Sequence, residues 1–209
     1  MFMKSGGTKY PDLLEQTFYN AVLPRVGIKS DSFFSQVPLE SNGDAVRNRD
    51  AGAACDPADP ARVVAQWPGL IYATRIGPAG PEILVNQYVD SDAVVRLDAA
   101  TVRITQSTAY PWDGRVAFRV TSDRPMTFTL KLRVPAWLGT RPFASDLYAF
   151  TGPDPGATSY GSGHTRVSTT RPGWVELRMP MAPSDGDRTA VTAGITFPMP
   201  VRHVAADVR

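Results

Sequence analysis

The chain is poor in cysteine and histidine, the two residue types that build most thiol and metal sites. Among its 209 residues there is one cysteine, Cys55, and there are two histidines, His164 and His203. A single cysteine excludes an internal disulfide, and it cannot by itself build a zinc site, which takes about four ligands. The two histidines lie far apart without the spacing of metal ligands, so we interpret them as ordinary surface or core residues.

An excess of charge and long apolar runs are also missing. The net charge of +2 arises from 22 basic and 20 acidic residues. These are mixed along the chain, whereas nucleic-acid-binding proteins concentrate Lys and Arg on one face. No apolar run approaches the roughly 20 residues of a membrane span. The N-terminal MFMKSGGTKYPD lacks the apolar region of about 7–15 residues found in secretory signals. The sequence thus predicts no nucleic-acid or membrane partner, and a cytoplasmic location.

Glycine and proline are abundant, with 17 and 19 residues, which favours turns and short strands over long helices. From Leu70 onward, apolar and polar residues alternate with the period of strands. In TFTLKLRVPAW, residues 127–137, this alternation predicts one face on a core and Lys131 and Arg133 in water. Further strand patterns cover 83–89, 93–99, 101–105, 115–121, 174–180 and 198–207. Together they predict an antiparallel β-sandwich of about seven to nine strands.

Two connections between these strands carry turn signals. Asp113-Gly114 predicts a tight hairpin turn. The stretch TGPDPGATSYGSGHT, residues 151–165, is typical of a long flexible loop.

Two helices are predicted before the strands, over residues 10–24 and 59–68. The first has an apolar stripe that includes Leu14, Phe18 and Val22, and the second can be capped by Asp59. The chain therefore divides into a helical part, residues 1–66, and a β-sandwich, residues 67–209.

Cys55 precedes the second helix by about one turn. A thiol there can feel the helix dipole, which lowers its pKa and favours the thiolate. Many loop cysteines nevertheless only pack or sit exposed, so both interpretations stay open at this point.

Several segments, taken in order, resemble glycoside hydrolase family 127, the β-L-arabinofuranosidase-like proteins. They include YPDLLEQTFYNAVL, FFSQVPLES, ACDPADPARVVAQWPGLIYATR, ILVNQYVDSDAVV, VRITQSTAYPWDGRV, FTLKLRVPAW, SDLYAF and PMPVRHV. The resemblance implies that residues 1–66 are the C-terminal remnant of a six-hairpin (α/α) barrel, followed by the first β-sandwich. It also implies a longer protein, of which this chain is a truncated form.

The resemblance assigns a role to Cys55. Family members carry a Cys-Cys-Pro-Pro-Asn loop, whose first cysteine is a zinc-bound thiolate that attacks the anomeric carbon in a retaining double displacement. Cys55 matches that cysteine, Pro57 the first proline and Asp59 the asparagine. Asp56 stands in place of the second cysteine and would serve as an oxygen ligand, which makes Cys55 and Asp56 the implied zinc ligands. Because the remaining ligands and the acid/base glutamate belong to the barrel sequence upstream, this chain is expected to be inactive alone and not to bind zinc alone.

The implied substrates are terminal β-L-arabinofuranosyl groups of glycans. One alternative is a non-catalytic sandwich that acts as a scaffold or a carbohydrate-contact module. Another is a separately encoded barrel fragment that docks on the stripe of Leu14, Phe18 and Val22.

Glu40 and Asp56 could form a carboxylate pair, although Glu40 is interpreted as ordering the loop before Cys55. The aromatic residues are interpreted as core or rim packing rather than sugar-stacking platforms; they are Trp67, Tyr72, Tyr110, Trp112 and Trp137.

Overall fold

The computed structural model describes residues 6–35, 37, 40–49, 58–97, 100–141, 147–170, 172–183 and 189–206. It divides into two compact units. The helical unit is Tyr10–Leu70, and the sandwich unit combines Met1–Lys9 with Ile71–Arg209. None of the helices in the described ranges is long and apolar enough to cross a membrane.

The first predicted helix is present, but it changes type along its length. Helix α1 covers Lys9–Thr17, a π-helical turn follows over Phe18–Val22, and a 3₁₀ turn ends it at Leu23–Arg25. Its buried residues include Asp12 and Glu15, while Leu13 is 55% exposed. The predicted apolar stripe of Leu14, Phe18 and Val22 is half-buried rather than open to solvent.

The second predicted helix ends earlier than the sequence pattern over 59–68 predicts. Helix α2 covers Ala58–Gln66, and a short helix α3 follows at Pro68–Ile71. Pro68 ends α2 as expected, because proline cannot donate the backbone hydrogen bond that would continue it. The same residue is well suited to open a new helical turn, which is the role it takes in α3.

Twelve strands lie in the described residues. They are β1 Tyr72–Gly77, β2 Gly80–Val85, β3 Ser91–Leu97, β4 Ala100–Thr108, β5 Arg115–Ser122, β6 Met126–Val134, β7 Tyr148–Thr151, β8 Thr158–Ser162, β9 Thr165–Thr169, β10 Gly173–Met181, β11 Val191–Thr196 and β12 His203–Ala206. They form a four-stranded sheet (β1-β2-β6-β10), a six-stranded sheet (β3-β4-β5-β11-β8-β9) and a small β7–β12 pair. All strand pairs are antiparallel except β2–β6, which is parallel.

The core of the sandwich comes from alternate residues of the two large sheets. Strand β5 buries every second residue from Val116 to Ser122, and β10 does the same from Val175 to Met181. Inward side chains such as Phe118, Leu130 and Met179 are at most 2% exposed. The structure confirms the predicted mainly β, antiparallel sandwich with a short helical part.

Both turn predictions need correction. The β4–β5 connection is a wider loop over residues 109–114, in which Trp112 N donates to Ala109 O and Arg115 N to Asp113 Oδ1. Gly114 serves a different purpose from the predicted tight turn, because its backbone lies against Phe197, whose amide donates to Gly114 O at 3.0 Å. Residues 151–165, predicted as a loop, contain the end of β7 and all of β8.

The prediction that the outer face of β6 lies in water, which rested on its alternation, was also wrong. Lys131 is 7% exposed and Arg133 is fully buried, although both were expected in water. The register places Lys131 opposite Leu84 of β2 and Glu176 of β10, and Arg133 opposite Trp174. The outer face of β6 is therefore a second packed layer, and it contains charged side chains.

Candidate functional site

The two residues with predicted catalytic and metal roles, Cys55 and Asp56, lie outside the described residues. We call the described segments that precede and follow them the frame of the cysteine loop. On one side the described chain ends at Arg49, and on the other α2 begins at Ala58.

The C-terminal side of the frame is α2 and the tryptophan that follows it. Helix α2 begins three positions after Cys55. The N-terminal end of α2, where the helix dipole is positive, is therefore the regular structure nearest to Cys55 in sequence. Trp67, which follows α2, is 8% exposed, and its ring is stacked on Phe18 with centroids 3.6 Å apart. This stack joins the residue that follows α2 to the π-helical turn.

The N-terminal side of the frame is a short ladder that leads toward the cysteine loop. Phe33 pairs with Asn48 through two backbone hydrogen bonds of 2.9 and 2.8 Å. Arg25 Nε and Nη2 donate to the carbonyls of Phe34 (3.1 Å) and Ser35 (2.5 Å). Arg47 Nη2 donates to Pro24 O at 2.9 Å. Two arginines thus tie this ladder to the end of the first helical segment.

Phe34 and Ser35 lie next to Phe33 at the end of this ladder. The carbonyl of Ser35 is held by Arg25, and the ring next to it in sequence, Phe34, is covered by the Arg47 guanidinium at 4.4 Å from the centroid. Since a guanidinium covers that face of Phe34, the face is not available for stacking on a sugar.

Glu40, the carboxylate considered as a partner for Asp56, lies in an exposed bend. Its distance from Asp56 falls outside the described residues, so the proposed pair stays a prediction.

Cysteine and histidine, the usual zinc donors, are scarce in this chain. The only cysteine is Cys55. His164 lies in the turn between β8 and β9 and His203 opens β12, and both are exposed in the sandwich unit. Among the described residues, no three His, Cys, Asp or Glu side chains are clustered in a way that could hold a metal ion. Cys55 with its neighbour Asp56 offers two of the roughly four ligands that tetrahedral zinc takes, so these two residues alone do not fit the metal.

The sandwich unit also contains a buried ion network that the sequence pattern did not predict. Glu82 accepts from Arg75 Nε at 2.5 Å and lies 3.3 Å from Lys131 Nζ, which is 2.7 Å from Glu176. Burial alone would raise the pKa of Glu82, but the hydrogen bonds from Arg75 and Lys131 outweigh it and hold this pKa below its ordinary value. The network ties β1, β2, β6 and β10 together, which is a structural role.

Arg133 extends the packed layer beyond the ion network. Its Nε donates to Asn86 O at 2.7 Å, its carbonyl accepts from the Tyr88 hydroxyl, and its guanidinium lies 5.8 Å from the centre of the Tyr88 ring. No sequence signal distinguishes Arg133 from an exposed strand arginine, because its partners come from a distant loop.

The aromatic residues divide into a packed group and one exposed residue. Tyr110 is 9% exposed and receives a hydrogen bond from Trp137 Nε1, and both rings contact Phe197 edge-on. Trp112 is 91% exposed, so the prediction that it packs was wrong.

The comparisons with known proteins agree with this architecture. Residues 1–69 match the model of the GH127 β-L-arabinofuranosidase catalytic domain, and residues 82–181 match the GH127 middle domain. A non-reducing end β-L-arabinofuranosidase from Bifidobacterium longum subsp. longum is 27% identical over 143 residues, which are 62% of this chain and 21% of that protein.

Solved structures extend the likeness to almost the whole chain. A GH127 β-arabinofuranosidase is 29% identical with a TM-score of 0.85, over 99% of this chain and 31% of its own length. A GH127 β-L-arabinofuranosidase from Geobacillus stearothermophilus T6 is 26% identical with a TM-score of 0.76, over the same shares. This chain spans less than a third of the length of each of these relatives. It belongs to glycoside hydrolase family 127 and includes residues of both the catalytic and the middle domain of that family.

Proposed function

We propose that this chain is the part of a retaining β-L-arabinofuranosidase-like hydrolase that carries the nucleophile, Cys55, and the sandwich beside it. The observation that supports this proposal is the consecutive match of residues 1–69 to the catalytic domain and 82–181 to the middle domain. The substrates proposed are glycans that end in β-L-arabinofuranosyl groups, as the names of the relatives suggest.

In the proposed reaction the Cys55 thiolate attacks the anomeric carbon and forms a carbon–sulfur bond. The glycosidic carbon–oxygen bond breaks, and a general acid protonates the leaving oxygen. Water, deprotonated by the same group, then attacks the anomeric carbon, and the carbon–sulfur bond breaks. The sugar leaves with its configuration retained, and the thiolate is regenerated.

The ionisation of Cys55 is the demanding part of this proposal. The start of α2 at Ala58 favours the thiolate, while the adjacent Asp56 disfavours it through like charge. The thiolate therefore needs a further positive group. Zinc would supply that charge, with Cys55 and Asp56 as the ligands from this chain. These two ligands alone do not complete a tetrahedral zinc site.

The general acid and the other zinc ligands are proposed to come from barrel sequence outside these 209 residues. A barrel segment provided by a separate chain would meet the same need. We accordingly expect the chain alone to release no measurable 4-nitrophenol from 4-nitrophenyl β-L-arabinofuranoside, with zinc and a reductant present.

The test pairs the chain, and its Cys55→Ala variant, with a family 127 barrel. The chain is assayed alone and after co-expression with the barrel segment of the G. stearothermophilus relative. Release in the co-expressed sample that Cys55→Ala abolishes is the expected result. Release that survives Cys55→Ala would overturn the role of Cys55. Release by the chain alone that Cys55→Ala abolishes would overturn the need for a barrel.

A co-expressed sample that assembles by gel filtration but releases nothing would overturn the hydrolase function. It would favour the alternative of a non-catalytic sandwich.

A further inference from the structure

The sandwich unit contains a small polar pocket beside the β7–β12 pair. Its volume is about 240 Å³, and its lining includes Thr140, Phe150, Asp154, Pro155, Thr170 and Arg202. The pocket has no place in the hydrolase function proposed above.

Arg202 forms a rigid wall of the pocket. Its Nη1 donates to Trp137 O at 2.9 Å and its Nη2 to Gly139 O at 3.0 Å, while the guanidinium stacks on Phe150 at 3.4 Å from the ring centre. Its Nε is buried and has no hydrogen-bond partner in the described part of the chain. Because a guanidinium has five N–H groups, the terminal nitrogens keep donors for a ligand.

Asp154 provides the opposing acceptor on a preorganised loop. One carboxylate oxygen accepts from Gly156 N at 2.8 Å, which leaves the other for a ligand. Gly152 (φ 106°) and Gly156 (φ 95°) have positive φ angles that favour glycine, and Pro155 lies between Asp154 and Gly156. Pro153 and Pro155 restrict the backbone on either side of Asp154, which lowers the conformational entropy lost on binding.

Charge and size together define the ligand. Arg202 and Asp154 carry opposite charges, so the pocket favours neither an anion nor a cation. The volume lies below the roughly 300–1,000 Å³ of sites for drug-sized ligands. A carboxylate, a guanidinium, two threonine hydroxyls and apolar proline surfaces suit a compact ligand with several hydroxyls and a weakly polar face. We propose that this pocket binds one neutral monosaccharide unit of a glycan.

The test is a titration of the 209-residue Cys55→Ala chain with methyl β-L-arabinofuranoside, followed through amide chemical shifts in ¹⁵N NMR. Using Cys55→Ala separates binding from any hydrolysis, so failure of the hydrolase proposal does not affect the result. We expect saturable shifts of the amide signals at residues 138–140, 150–152, 154 and 202, and no such shifts with inorganic phosphate.

Two isosteric variants provide the comparison. Asp154→Asn keeps the acceptor for Gly156 N but removes the charge, and we expect it to weaken binding about tenfold. Asp113→Asn is the matched control, because Asp113 accepts from Arg115 N in the same local arrangement in another loop. It is expected to bind as tightly as its parent.

Three results would overturn the proposal: no saturable shift in a folded sample, shifts confined to other residues, or equal affinity of Asp154→Asn and Asp113→Asn. A stronger response to phosphate than to the sugar would identify an anion site instead.

Discussion

At the scale of single residues, Glu82 and Glu176 both pair with Lys131 but differ in exposure. The Glu82 side chain is 4% exposed and that of Glu176 is 58% exposed. We expect Glu82→Gln to lower the free energy of unfolding by about 2–3 kcal/mol, because it leaves Arg75 and a buried lysine with one counter-charge fewer. Glu176→Gln, the matched control, should cost about 0–1 kcal/mol, as exposed pairs do. Urea unfolding measures both, and equal losses would contradict this assignment.

The same carboxylate predicts how stability depends on pH. Since the pKa of Glu82 is lowered in the folded state, its stabilisation is present above its ordinary value and is lost as pH falls through the folded value. The difference between wild type and Glu82→Gln should therefore be full near pH 7 and shrink as pH falls below the ordinary value of 4.5. A protonated glutamate resembles glutamine at this site. A difference that stays constant down to about pH 3 would show that charge plays no part.

At the scale of elements, the start of β5 depends on a glycine that lets two backbones meet. A Cβ on Gly114 would overlap the carbonyl oxygen of Phe197, a residue whose backbone is held there by the hydrogen bond from its amide to Gly114 O. Gly114→Ala is expected to cost about 3 kcal/mol, the upper end of overpacking. In contrast, Gly69 has nothing within 4 Å of such a Cβ, so Gly69→Ala should cost nothing or stabilise slightly. Thermal unfolding of the two variants makes the comparison, and a Gly114→Ala variant as stable as Gly69→Ala would contradict it.

Elements defined by their own sequence were predicted well, and those defined by distant partners were not. The alternation of β5 and β10 depends on one buried face, so the pattern alone places them. The outer face of β6 follows the same pattern, yet Lys131 is buried because Glu82 and Glu176 approach it from β2 and β10. Residues 158–162 lack an apolar alternation, and they form β8 because β11 pairs with them.

In the candidate site, too, the features that depend on local sequence were predicted and those that depend on distant partners were not. The family, and with it the proposed role of Cys55, follows from short segments in a fixed order. The anchoring of Phe34 and Ser35 by Arg25 and Arg47 depends on how the chain folds back, which no local pattern records.

At the scale of the whole molecule, the apolar core is distributed unequally between the two units. Among the described residues of Tyr10–Leu70, Trp67 is the only buried apolar side chain apart from prolines, whereas the buried apolar side chains of the sandwich unit run from Ile71 to Phe197. Burial of apolar surface supplies most of the stability of a domain. The sandwich unit therefore contains its own driving force for folding, and the helical unit has little.

We accordingly expect residues 71–209 to fold alone and residues 10–70 not to. The shorter sandwich should show β-type circular dichroism, dispersed amide signals and cooperative unfolding. It lacks Gly6, whose carbonyl accepts from Trp174 Nε1 at 2.8 Å, so it should be less stable by about 1 kcal/mol, the usual contribution of one hydrogen bond. Trp174→Phe in the full chain removes the same bond and serves as the control. An unfolded 71–209 chain, or a cooperatively folded 10–70 chain, would contradict the view that the sandwich is the autonomous unit.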